Sequence, residues 1–200
     1  MNMDNFWDAK YDRDDWFYGT KPNEFFREQL QNIKPGLILL PAEGEGRNAT
    51  HAAAEGWNVW AFDSSSVAKD KALSLAGSQR LSIRYDINSV ESFHPGESGF
   101  DAIAIIYAHF MPELRHRFFA KLQEWLNPGG KLILEAFRKD QIHKTTGGPK
   151  NLDMLYSLDE ISQDFGQLYT ERLTADTVVL DEGPGHSGEA ELVRYVGLKK

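Results

Sequence analysis

A short acidic turn with two glycines, Glu43-Gly44-Glu45-Gly46, joins the apolar run Leu37-Ile38-Leu39-Leu40 to an alanine-rich stretch from Arg47 to Glu55. An apolar run that feeds straight into a helix has to find its partner strand beyond that helix, so the unit is a parallel crossover. Gly56 stops the helix and Asn58 to Asp63 supplies the partner. The alternation then repeats. Ser64 to Ser66 offer caps for a helix to about Ala76, Gly77 ends it, and Leu81 to Tyr85 reads as a third strand. Phe100 to Tyr107 is almost wholly apolar, as a central strand buried on both faces must be.

Pro112 opens a helix with the stripe Leu114, Phe118, Leu122 and Trp125/Leu126, stopped at Asn127-Pro128-Gly129-Gly130. Lys131 to Phe137 is the fifth strand, and Ser157-Leu158-Asp159-Glu160 is a capping box before Ile161 to Phe165. Leu168 to Leu180 and Ala190 to Leu198 alternate like strands with only a turn between them, which makes a hairpin. The expectation is an α/β, Rossmann-like, seven-stranded, mostly parallel sheet with a C-terminal antiparallel hairpin and helices on both faces. The 200 residues read as a single domain, with 1–35 as an N-terminal cap or lid and 36–200 as the core.

Composition narrows the function. Thirty acidic residues against twenty-two Lys and Arg give a charge of −8, so no broad nucleic-acid surface is expected. The chain has no cysteine, which excludes disulfides, thiolate metal sites and a thiolate nucleophile. Its longest apolar run, Ala102 to Ala108, is too short for a membrane span, and Met1 to Asp8 lacks the apolar stretch of a signal peptide. The expectation is a cytoplasmic protein, a monomer or homodimer, with no membrane or nucleic-acid partner and no metal.

Gly44, Gly46 and Ala49 fit a nucleoside-binding glycine fingerprint, and Asp63 ends the next strand where a ribose diol would lie. A pyrophosphate would face Glu43 and Glu45, which is electrostatically wrong; a donor carrying an ammonium and a sulfonium is far better tolerated. That favours S-adenosylmethionine over a redox dinucleotide. The alternatives are an NAD(P)-linked oxidoreductase and a non-catalytic cofactor-binding module.

The chain resembles the class I S-adenosylmethionine-dependent methyltransferases, in particular the small tellurite-resistance/thiopurine type. The likeness rests on Phe6-Trp7-Asp8 with Tyr11, Tyr18-Gly19-Thr20-Lys21-Pro22-Asn23, Gly44 to Ala49, Asp63-Ser64-Ser65, Phe100-Asp101 and Leu126 to Leu132. It implies that Gly44, Glu45, Gly46 and Asn48 contact the methionine part of the cofactor. Asp63 and Ser64 would take the ribose and Asp86 with Ile87 the adenine, while Tyr107 lies beside the donor. Trp7, Tyr11 and Tyr18 would close over it. In this family the loop's first residue is a glycine, here Ala42, and the acid expected near Leu40 is displaced to Glu43, which is assigned the donor's ammonium.

The acceptor, a small molecule such as a chalcogen oxyanion or thiol, belongs at the strand ends. His109 follows the fourth strand, His186 sits in the hairpin's return turn, and Arg47, Arg138 and Lys144 offer positive charge. His109, His186 and Arg47 are the catalytic candidates. Against them stand ordinary packing for His109, a mobile turn for His186 and a surface position for Arg47.

Overall fold

The computed structural model describes residues 3–97 and 99–200, with the side chains of residues 3–5 left aside. Met1 and Asn2, the first residues of the expected cap, lie outside the described residues. The helices are α1 (Met3–Tyr11), α2 (Glu24–Leu30), α3 (Arg47–Ala54), α4 (Ser66–Ser78), α5 (Pro112–Trp125) and α6 (Leu158–Asp164). The strands are β1 (Leu37–Pro41), β2 (Asn58–Asp63), β3 (Arg84–Ile87), β4 (Phe100–Ile106), β5 (Leu126–Phe137), β6 (Tyr169–Asp181) and β7 (Ser187–Leu198).

They form one sheet in the order β3-β2-β1-β4-β5-β7-β6. All neighbouring pairs are parallel except those made by β7, which runs antiparallel to both β5 and β6. The expected fold class is therefore observed. The order reverses between β1 and β4, the switch point where open α/β sheets bind ligands.

Strand alternation divides the core into two layers. Leu39, Phe62, Ile103, Ile105, Leu132 and Leu134 pack with Phe118, Phe119 and Leu122 of α5 and with Ile161 and Phe165 at α6. Ile38, Leu40, Ala61, Ala102, Ala104 and Ile133 face α2, α3 and α4. In this second layer α3 and α4 present alanines, Ala49, Ala52, Ala72 and Ala76, while α2 contributes Phe25, Phe26 and Leu30.

Local signals set most element ends. Ser65 caps α4 through Ala68 N–H, and Ser157 and Glu160 complete their capping box. The third strand is displaced. It runs over Arg84–Ile87, where Arg84 pairs with Trp60 and Ile87 with Asp63. Arg80 turns left-handed (φ +58°) and Leu81 N–H still bonds the α4 carbonyl of Ala76, so the chain joins β2 three residues later than its apolar pattern indicates. The long stretch after β5 holds two short 3-10 turns over a small core of Phe137, Leu155, Leu180, Ala190 and Leu192.

Candidate functional site

Both turns at the switch point carry a non-glycine residue in the left-handed region, Ala42 after β1 (φ 51°) and Tyr107 after β4 (φ 54°). Such backbone costs about 1 kcal/mol or more and persists only where the surroundings enforce it. Ala42 occupies the position where the resembled family has glycine, so the backbone shape is kept although the residue has changed.

The glycine loop is held by acids. Glu43 Oε1 accepts the N–H groups of Asn48 (2.9 Å) and Ala49 (2.7 Å), so this carboxylate caps α3. Burial pushes its pKa up to about 7 against the pull of those bonds and of Arg47. Asp63 accepts Gly44 N–H and Ser65 N–H at 3.0 Å each, and burial raises its pKa as well. Tyr85 O–H bonds the Gly44 carbonyl at 2.6 Å. The two glycines have different work. A Cβ on Gly46 would lie 2.4 Å from Ala72 Cβ, so Gly46 lets α3 meet α4; a Cβ on Gly44 would lie 2.9 Å from the Tyr11 hydroxyl.

The N-terminal segment lies on this loop. Asp8 Oδ1 accepts Ser65 O–H at 2.6 Å, tying α1 to the start of α4. Trp7 stacks on Tyr11, with centroids 5.5 Å apart. Lys71 Nζ donates to the carbonyls of Tyr11, Arg13 and Asp15 and pairs with buried Glu45 at 2.6 Å. Tyr18 is gripped at both backbone ends, its N–H on Glu45 and its C=O on Arg47. Asn48 Oδ1 accepts Asn23 N–H.

On the adenine side, Ser64 follows Asp63, Asp86 accepts the Trp60 indole N–H at 2.7 Å and pairs with Arg84, and Ile87 is 52% exposed beside Asp63.

The acceptor candidates separate sharply. His109 has both ring nitrogens committed: Nδ1 bonds the Met154 carbonyl at 2.7 Å and Nε2 accepts Phe137 N–H at 3.2 Å. With Nε2 accepting, Nδ1 carries the proton, and burial pulls the pKa down to about 4. His109 is a neutral clip with no nitrogen left for an acceptor, so packing describes it better than proton transfer. His186 differs. Its Nδ1 faces Glu182 Oε2 at 3.2 Å, and its ring is held by Tyr18, Tyr107 and Phe137 with centroids 4.3–5.2 Å away.

Arg47 is only 7% exposed and not the surface group that its place at a helix start indicated. It pairs with Glu182 at 3.0 Å. Arg138 and Lys144, offered above as charge for an anion, are paired instead with acids of their own loop and of β7: Arg138 with Asp140 and Glu191, Lys144 with Glu189 and Glu191.

Sequence reasoning passed over four residues that complete the site, Asn23, Glu135, Glu182 and Arg194. Asn23 donates to Glu135 (2.6 Å) and Glu182 (3.1 Å), and fully buried Glu135 also accepts from Arg194 at 2.6 Å. The Tyr107 hydroxyl is buried near these acids with no hydrogen-bond partner among the described residues, and burial raises its pKa well above normal. A lone acid inside the apolar run Leu132 to Phe137 was the available signal for Glu135.

The donors that a pyrophosphate needs at a helix start are already used here by Glu43, while acids and an unpartnered hydroxyl collect at the strand ends. That set fits a cationic nucleoside carrying a ribose diol. Comparison with known proteins agrees. Residues 38–130 match the family model described as a methyltransferase domain.

Residues 38–130 carry a methyltransferase domain. S-adenosylmethionine is supported as its cofactor by neighbours of the same fold solved with that molecule or with S-adenosyl-l-homocysteine. Solved structures of the same fold include TehB from Haemophilus influenzae, with a TM-score of 0.75 at 16% identity, covering 98% of this chain and 67% of that one. The N-methyltransferase NodS from Bradyrhizobium japonicum, in complex with S-adenosyl-l-homocysteine, aligns with a TM-score of 0.72 at 14% identity over 100% and 99% of the two chains. A chain solved in work on conversion of a disulfide bond into a thioacetal group during echinomycin biosynthesis scores 0.81 at 15% identity, over 100% and 92%. A curated relative, hemagglutinin 1 of Eikenella corrodens, is 30% identical over 123 residues; the match covers 58% of this chain and 40% of that protein.

Proposed function

We propose that the methyltransferase domain, with residues 1–35 as its cap, transfers a methyl group to a small acceptor bearing a soft nucleophile, a chalcogen oxyanion or a thiol. The observation that carries the donor half is the capping of α3 by Glu43: an acidic loop whose helix-start amides are already bonded suits a cation and repels a phosphate. S-adenosylmethionine, when bound, supplies an electrophilic methyl group and leaves as a neutral thioether. Displacement at that carbon asks the protein for alignment and for exclusion of water.

Asp63 and Ser64 take the ribose, Asp86 and Ile87 the adenine edge, and the Glu43 to Asn48 loop the methionine end. Trp7, Tyr11 and Tyr18 cover the donor, and Tyr107 lines the path from donor to acceptor. Asn23, Arg47, Glu182 and His186 form the acceptor wall. The likeness to a chain solved in work on conversion of a disulfide bond into a thioacetal group supports a chalcogen acceptor. No described helix is long and apolar enough to cross a membrane.

Calorimetric titration tests the donor. S-adenosylhomocysteine is expected to bind and NAD and NADP to give no heat. Asp63→Asn keeps the shape but removes the charge from two hydroxyl contacts, so the Kd should rise by about 10- to 100-fold, or roughly 1.5–3 kcal/mol. An unchanged Kd overturns the ribose assignment. Label transfer from methyl-labelled donor to tellurite, selenite or small thiols tests the acceptor, and transfer to none of them overturns the chalcogen reading.

A further inference from the structure

We infer that Glu182 and His186 form a proton-accepting pair in the acceptor site, with Glu182 as the positioning residue and His186 Nε2 as the base. The acceptor then arrives with a proton on its nucleophilic atom, as a thiol or selenol, and not as a free oxyanion. This rests on the methyl-transfer reading above and adds to it a residue and a substrate class.

The geometry assigns the tautomer. Glu182 is tied by Arg47 Nη2 (3.0 Å) on Oε2 and by Asn23 Nδ2 (3.1 Å) on Oε1. Donors fixed on both oxygens hold it as a carboxylate, and a carboxylate only accepts hydrogen bonds. His186 Nδ1 faces the same Oε2, so Nδ1 carries the hydrogen and Nε2 carries the lone pair. Nε2 bonds no other described residue. The side chain is 4% exposed and lies between the rings of Tyr18, Tyr107 and Phe137. The turn itself is rigid. Glu182 N–H bonds the His186 carbonyl, Gly185 N–H bonds the Phe17 carbonyl, and a Cβ on Gly147 would lie 2.7 Å from His186 Cδ2.

The titratable and charged groups around the imidazole are Glu182 on its own turn, Lys10 of α1, Tyr18, Arg47 of α3, and Tyr107 and His109 after β4. Burial is the largest influence and lowers the His186 pKa, with Glu182 opposing and Arg47 and Lys10 assisting. His186 is thus mainly neutral at pH 7 and able to receive a proton. In the step, the acceptor's X–H bond breaks, the proton goes to Nε2, and the electron pair stays on X as the nucleophile. The imidazolium is stabilised by Glu182 and returns the proton to water. Arg47 serves both as a partner of Glu182 and as a brake on histidine protonation.

Nitrogen NMR of the free protein needs neither donor nor acceptor. Long-range ¹H–¹⁵N spectra should show His186 as the Nδ1–H tautomer, and Glu182→Gln should lose that preference; an Nε2–H tautomer in the parent protein overturns the proposal. Turnover is then compared with 2-mercaptoethanol, protonated at neutral pH, and 5-thio-2-nitrobenzoate, already ionised. His186→Asn keeps an N–H toward Glu182 and removes Nε2 together with the rest of the ring. It should cut the rate with 2-mercaptoethanol about 100-fold or more, while the ionised thiol loses less than about fivefold. An equal loss with both thiols marks a structural role and overturns the base. Failure of S-adenosylhomocysteine to bind the parent protein sinks the methyl-transfer reading separately, whatever the tautomer.

Discussion

A histidine is useful to chemistry only with a nitrogen to spare, and by that measure His109 and His186 are opposites. His109 spends Nδ1 on Met154 and Nε2 on Phe137, which ties the end of β4 to the end of β5 and to the loop before α6. Its folded pKa, near 4, lies below the value of about 6.5 for an unfolded histidine. The unfolded state therefore binds more protons between those values, so this residue's stabilisation is complete above about pH 6.5 and is lost as pH falls toward 4. Glu43 acts in the opposite sense, since a folded pKa near 7 makes its contribution fall as pH rises from about 4.5 to 7. The two slopes offset each other in the parent protein. In His109→Gln the difference in stability from the parent should widen from pH 4 to 6.5, by on the order of 3 kcal/mol, and then stay level. Chemical denaturation at a series of pH values checks this, and a pH-independent difference would show that His109 is not held neutral.

At the scale of elements, residues 3–18 depend on contacts lent by the rest of the molecule. α1 reaches the core through borrowed contacts: Asp8 on Ser65, Tyr11 over the glycine loop, and three backbone carbonyls converging on Lys71. Lys71 of α4 anchors the segment by donating to those three carbonyls while its charge pairs with buried Glu45. Lys71→Met keeps the stem but removes the donor. Amide exchange over residues 7–18 should quicken about tenfold or more while β1, β4 and β5 stay protected, because only the local opening becomes easier. S-adenosylhomocysteine should slow the same amides in the parent protein. No change in either comparison would leave the segment as a fixed arm and remove its role as a cap.

The whole molecule is closed across the sheet by one polar network. Asn23 before α2, Arg47 on α3, Glu135 on β5, Glu182 and His186 in the hairpin turn, and Arg194 on β7 meet at the carboxyl ends of the strands. Their cost is desolvation, and its repayment depends on every member being present. Arg194→Met leaves Glu135 buried without its cation and should destabilise by about 3–5 kcal/mol. Glu135→Leu added to it removes the stranded charge, so the double variant should be more stable than Arg194→Met alone. Denaturant midpoints at equal slope measure both, and simply additive losses would mean that the pair is not coupled.

Much of this was legible in the chain itself. The alternation of apolar runs and capped helices is a local property of period two and period 3.6, and it placed all seven strands, though not the starts of β3, β5 and β7, together with the capping box at Ser157 and the glycine loop facing Asp63. β3 slipped because its register depends on where β2 stops, not on its own apolar pattern. The site was half legible for the same reason. Gly44, Gly46 and Asp63 declare themselves through a short βαβ unit. Asn23 and Glu135 are separated by 112 residues, Asn23 and Glu182 by 159, and no periodicity reports their meeting. The tertiary structure alone decided which histidine has a free nitrogen, that Arg47 is buried, and that Glu43 spends its carboxylate on α3. Each depends on which distant group consumes a lone pair or a proton, and that is settled only when the chain closes.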